Sequence, residues 1–141
     1  RSKRYTKRTR KKSLMTKNFK IHEFECKCGC KMPLEVYENI IKLAGQLQRL
    51  RDYTGRSITI NSAYRCPDHN SKIKGSSRSQ HLLGKAADIT IQSLKPAEVF
   101  VIIEDLIDMG ELLQGGVGAY DTFTHYDIRR TKARWNYARK V

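Results

Sequence analysis

The chain has 141 residues, 39% of them hydrophobic, and a formal net charge of +14. That is the length of one domain, with enough apolar residues for a single core. The longest apolar run, residues 99–103, is far too short to span a bilayer, and the N-terminal charge has no apolar segment behind it, so no secretory signal pattern is expected. The charge is unevenly placed. Residues 1–20 hold ten cations, among them Lys3, Arg4, Lys7, Arg8, Arg10, Lys11 and Lys12, and no acid. A like-charged run repels itself, so residues 1–18 read as a disordered basic tail ahead of a domain at 19–141. Such a tail binds polyanions by neutralising their charge and releasing counterions. Nucleic acid, an anionic cell-wall polymer and the acidic surface of a virion protein are the partners that fit it. Tyr5 is the only aromatic interleaved, so base stacking is not indicated.

Phe19, Ile21, Phe24, Cys26, Cys28 and Cys30 alternate loosely and predict an extended segment lying on the domain. Pro33 opens a helix whose apolar face is Val36, Ile40, Leu43, Leu47 and Leu50, and Thr54-Gly55 ends it. Residues 57–62 alternate and are β-branched, which predicts a strand. Residues 67–80 are polar and rich in glycine and serine, and predict a long functional loop. A second strand over 86–91 delivers Asp88. Residues 93–96 start a second helix, with Val99, Ile102, Ile103, Leu106 and Ile107 on its buried face and Gly110 at its close. Residues 115–120 form a glycine-rich strand or turn without the order of a phosphate-binding loop. Residues 124–128 form a short strand whose alternation turns His125 and Asp127 to one face. The C-terminal segment is basic, with Trp135 and Tyr137 among its cations.

Cys26, Cys28 and Cys30 form a C-x-C-x-C run that lacks the paired C-x-x-C spacing of a zinc knuckle. A metal held together with Cys66 or His22, disulfide pairing, and reduced thiols all stay open, reduced half-buried thiols being the ordinary case.

His81 and Asp88 lie seven residues apart with Gly84 between them, a spacing that suits a chain reversal bringing both to one point. His125 adds a third candidate ligand. Two imidazoles and a carboxylate, with a fourth position left to water, are the pattern of a catalytic zinc. Such a metal lowers the pKa of its water to about 7 and polarises a carbonyl. Peptide hydrolysis further needs a carboxylate base, and a cation or donor for the oxyanion.

Four blocks carry a resemblance: Ser62-Ala63-Tyr64-Arg65-Cys66-Pro67, Ser79-x-His81-x-x-Gly84-x-Ala86-x-Asp88, Gly116-x-Gly118-x-Tyr120 and His125-x-Asp127-x-Arg129. Together they resemble the M15 family of zinc peptidases, closest to its short D,D-carboxypeptidase/endopeptidase-like members of phages and bacteria. The resemblance implies an α+β fold, a small antiparallel sheet with packed helices, of the Hedgehog/D,D-peptidase-like zinc type. It implies one zinc ion held by His81, Asp88 and His125. It implies that Arg65 faces the substrate, binding a carboxylate or the oxyanion, as a guanidinium fork suits. The implied substrate is the stem peptide or cross-link of peptidoglycan, cut at the bacterial wall by a protein that is virion-associated or released by lysis. Many relatives place an acid three residues before the last histidine, where this chain has Thr122. Asp127, on the ligand's own face, is the first choice for general base and Asp121 the second; either can instead orient the histidine. Tyr120 and Trp135 are candidates to line the substrate groove, with core packing equally open. Two other readings compete: a zinc-containing binding module without catalysis, and a basic virion structural protein associated with nucleic acid.

Overall fold

A computed structural model describes residues 15–138. The tail cations Lys3, Arg4, Lys7, Arg8, Arg10, Lys11 and Lys12 lie outside the described residues. Three residues that the charge pattern assigns to the tail, Met15, Thr16 and Asn18, are already docked. Met15 packs against the core. The Thr16 hydroxyl donates to Gln48 Oε1 at 2.7 Å, and the Gln48 amide donates to Asn18 Oδ1 at 2.8 Å. The next segment is less extended than alternation predicts. Glu23 accepts the Lys20 backbone N–H at 2.7 Å and closes a 3-10 turn, Ile21–Phe24, that buries Phe19, Ile21 and Phe24.

The long helix α1 (Leu34–Thr54) starts behind Pro33 and buries Val36, Ile40, Leu43, Ala44, Leu47 and Leu50 along one stripe. A short helix, α2 (Pro67–Lys72), follows the first strand. Helix α3 (Pro96–Asp108) has proline in its first turn, where no N–H is needed, and Glu98 accepts the Lys95 N–H at 2.8 Å. Its Val99, Ile103, Leu106 and Ile107 complete the helical side of the core.

Among the described residues five strands form one sheet: β1 (Ile58–Ser62), β2 (Ala86–Ile91), β3 (Gly116–Ala119), β4 (Thr124–Asp127) and β5 (Ala133–Asn136). Their spatial order is β1-β2-β4-β3-β5. The first three pairings are antiparallel, and β5 joins β3 in parallel. Ala87, Ile89, Val117 and Tyr126 pack into the shared core with α1 and α3. On that same face the Tyr126 hydroxyl donates to the Leu113 carbonyl at 2.7 Å, and that of Thr124 to the Pro96 carbonyl at 2.9 Å. This is the α+β architecture expected from the sequence.

Two segments depart from expectation. The predicted loop at 67–80 begins as α2, because Cys66 caps it by accepting the His69 N–H and Pro67 occupies its first turn. Its one buried residue, Asn70, donates to the Ser76 carbonyl at 2.9 Å and pulls the rest of the segment back on itself. Strand β5 has no apolar alternation to announce it. It forms by pairing its backbone with the glycine-rich β3, while Arg134 is tied to Glu104, Gln114 and the Gly115 carbonyl.

Candidate metal centre

One transverse row across the sheet builds the site. Ser62 on β1 stands opposite Asp88 on β2, Asp88 opposite His125 on β4, His125 opposite Gly118 on β3, and Gly118 opposite Trp135 on β5. Directly opposed residues project from the same face of a sheet. Each strand thus places one residue on the face away from the helices. Gly118 leaves the row open: a Cβ there would collide with the Trp135 indole.

His81 comes from outside the sheet, on the 3-10 turn Gln80–Leu83. Ser79 Oγ accepts the His81 backbone N–H at 3.1 Å and starts the turn. Gly84 ends it at φ 73°, a left-handed conformation that glycine adopts without strain. A side chain there would also press against Val36 of α1. The turn folds back at once into β2, which is how seven residues of separation become side-chain contact.

The two imidazoles converge on one oxygen. His81 Nε2 lies 3.2 Å from Asp88 Oδ1, and His125 Nδ1 lies 3.1 Å from the same atom. Both rings are nearly fully buried and meet edge to face, centroids 5.2 Å apart. Each ring's other nitrogen faces an acceptor. His81 Nδ1 lies 2.7 Å from the Ala63 carbonyl, and His125 Nε2 lies 2.7 Å from Asp127 Oδ2. A carbonyl can only accept, so His81 Nδ1 carries a hydrogen, which leaves Nε2 as the nitrogen available to a metal. His125 Nε2 is hydrogen-bonded to Asp127, which leaves Nδ1 as the nitrogen turned to Asp88. Two imidazole nitrogens turned to one carboxylate oxygen form an arrangement that can close around a cation. A tetrahedral ion with ligands at about 2.0–2.1 Å holds its ligand atoms about 3.3 Å apart, close to the 3.1 and 3.2 Å separations here. The ligand atoms of His81, Asp88 and His125 all lie within 4.8 Å of one another. The donor set fits a divalent metal of the zinc type.

The charges around it are strongly coupled. Burial opposes ionisation of Asp88, but hydrogen bonds from His125 and His81 outweigh it and hold its carboxyl well below the usual range. Burial also opposes protonation of His125, yet bonds to Asp127 and Asp88 outweigh that and raise its pKa. Arg65 braces the second Asp88 oxygen: its guanidinium donates to Asp88 Oδ2 at 3.0 Å and to Ser62 Oγ at 3.1 Å.

Asp127 stands where the orienting alternative would put it. It does share a face with His125, but it sits behind the ring. Oδ2 accepts from His125 Nε2 at 2.7 Å and from Arg129 at 2.8 Å. Oδ1 accepts the Gly116 N–H at 2.9 Å and the Arg129 Nε–H at 2.9 Å. Asp127 is thus a fully buried carboxylate with both oxygens hydrogen-bonded, which suits orienting the imidazole. Burial opposes its ionisation, but the bonds from His125 and Arg129 hold its pKa low. Asp121, the alternative, lies exposed on the turn between β3 and β4.

Tyr120 and Trp135 stand beside the cluster. Trp135 Nε1 donates to the Tyr120 hydroxyl at 2.9 Å, and the indole centroid is 5.1 Å from that of His125. Tyr120 stacks on Phe123 at 4.4 Å and meets Tyr137 at 5.5 Å, so the pair belongs to a larger aromatic wall. The sequence left three contributors unassigned: the Ala63 carbonyl, Arg129 as the brace of Asp127, and Phe123. The first is a backbone group with no sequence signal. Arg129 had one, in its two-residue step from Asp127 within the last motif.

A family model described as Peptidase M15 matches residues 16–127. No curated protein matches the chain.

Proposed function

The chain belongs to the peptidase M15 family, and on that premise we propose that it hydrolyses peptide bonds in peptidoglycan stem peptides or cross-links with a single catalytic zinc. The observation that carries this reading is the convergence of two imidazole nitrogens on Asp88 Oδ1. His81, Asp88 and His125 hold the ion. When bound, zinc supplies a water of lowered pKa and a Lewis acid for the scissile carbonyl.

The chain's own residues do the rest. Asp127, clamped by Arg129, keeps the His125 hydrogen on Nε2 so that Nδ1 stays free as a ligand. Arg65 fixes Asp88 and, at the rim of the cluster, offers a cation to the substrate carboxylate or the developing oxyanion. Tyr120 and Trp135 form the wall against which the stem peptide lies. Asp121 is then the carboxylate assigned to take the water's proton. That assignment also favours one alternative, a zinc-containing binding module, because catalysis rests on a single exposed acid.

The test is mass spectrometry of muropeptides after purified peptidoglycan is incubated with zinc-loaded protein, beside His81→Ala. New peptide ends that vanish in the variant are expected, and their masses identify the bond. Stoichiometric zinc at the histidine cluster with no new ends would establish the binding module instead.

A further inference from the structure

A second set of metal-type ligands lies apart from the histidine cluster. The Sγ atoms of Cys26, Cys28, Cys30 and Cys66 all lie within 4.8 Å of one another. Cys28 Sγ is 3.4 Å from Cys26 Sγ and 3.5 Å from Cys66 Sγ. A disulfide needs about 2.05 Å, so neither contact is one, and all four cysteines are free. Zinc bound to thiolates at about 2.3 Å sets its sulfurs about 3.8 Å apart in a tetrahedron, near what is seen. We propose that these four cysteines form a closed structural zinc site, distinct from the histidine cluster.

Local backbone N–H groups are turned toward two of the sulfurs. The Cys66 N–H points at Cys26 Sγ, and the His69 N–H at Cys66 Sγ, each at 3.4 Å. Such N–H groups orient metal-bound sulfur and balance its charge. The Gly29 N–H donates to the Cys26 carbonyl at 3.0 Å, a turn that wraps the C-x-C-x-C run around one point. Four sulfurs leave no position for water, so the site is structural rather than catalytic. His22, considered from the sequence as a ligand, is not among these residues.

The placement gives the site a task. Cys66 follows Arg65 directly and caps α2, while the Tyr64 N–H donates to the Phe24 carbonyl at 3.1 Å. The ion would therefore staple the N-terminal segment to the end of β1 at the residue next to the Arg65 guanidinium. Each thiol that binds gives up its proton, so loading releases acid and weakens as pH falls.

The experiment uses the full chain, loaded once with Zn²⁺ and once with Co²⁺. Elemental analysis should find two zinc ions per chain. The cobalt form should show a near-ultraviolet thiolate-to-cobalt charge-transfer band. The histidine cluster contains no sulfur, so the band reports the cysteine site alone and is independent of whether the protein is a peptidase. His81→Ala/His125→Ala should keep the band and one zinc; Cys28→Ser/Cys30→Ser should lose the band and one zinc. In the zinc-loaded wild type, exposed Cys28 should be protected from a thiol reagent and become reactive on chelation. A wild-type protein with no band, or an intact mass showing two disulfides, would overturn the proposal without touching the peptidase reading.

Discussion

Asp127 and Asp121 separate two jobs that a carboxylate can do near a metal. Asp127 is fully buried with both oxygens bonded, so Asp127→Asn should act through His125. Zinc affinity should fall about 10–100-fold, as for other carboxylates that orient a ligand histidine. At saturating zinc the turnover should largely return. Asp121→Asn should do the reverse, leaving zinc content unchanged while kcat drops about 10²–10⁴-fold, the usual worth of a general base. Zinc titration by chelator competition, with kcat measured at saturating metal, tells the two apart. The histidine also makes metal binding pH-dependent. His125 has a folded pKa raised above its ordinary value of about 6.5. In the metal-free protein its protonation adds stability that is complete below about pH 6.5 and is lost as pH rises through the raised value. Asp88 and Asp127, held below about 3.9, contribute stability that is present above that pH and lost as pH falls through their folded values. Urea melts of metal-free protein should therefore be most stable between about pH 4 and 6.5. Zinc needs His125 unprotonated, so its affinity should weaken about tenfold per pH unit below the raised pKa.

At the scale of elements, the transverse row depends on strands whose neighbours leave space. Gly118 lies between His125 and Trp135 in the sheet, and a Cβ there would meet the indole at Nε1, Cε2 and Cδ1. Gly118→Ala should push β5 outward, break the Trp135–Tyr120 hydrogen bond and tilt the aromatic wall away from His125. A destabilisation of about 1–3 kcal/mol is expected from overpacking, with KM raised more than kcat is lowered. Thermal melts and steady-state kinetics on a soluble muropeptide read both effects. The 3-10 turn carrying His81 is shorter than any periodicity can reveal, yet the Ser79 cap and the Gly84 reversal define it locally, and the Ala63 carbonyl, 18 residues away, fixes the ring.

For the whole molecule, we propose two units: a compact domain, which begins by Met15, and a basic N-terminal arm. Residues 1–14 contain eight cations and no acid. Deleting them should lower retention on anionic cell-wall polymer or DNA and flatten its dependence on salt, because fewer counterions are released on binding. Hydrolysis of small soluble muropeptides should not change, since every ligand of the candidate site lies within the domain. Retention assays across a salt series, beside kinetics on the same preparations, test this directly.

The sequence by itself determined the α+β class, both long helices and three of the five described strands, left the glycine-rich segment open between strand and turn, and singled out His81, Asp88 and His125, which the fold brings together. Those features rest on period and on residue type at fixed spacing, which are properties of the chain read locally. Alternation placed Asp127 on the face of His125, but only packing decided that it sits behind the ring, because strand period fixes a face and not a hydrogen-bond partner. Strand β5 had no local signal, since its backbone pairing with β3 supplies what its side chains do not. The cysteines were undecided for the same reason. Three lie within five residues, but the fourth, Cys66, is brought to them only when β1 ends against the N-terminal turn, a contact across 38 residues from Cys28. Tertiary structure alone decides such a meeting, because its entropy cost is met by the core as a whole and leaves no mark on either segment.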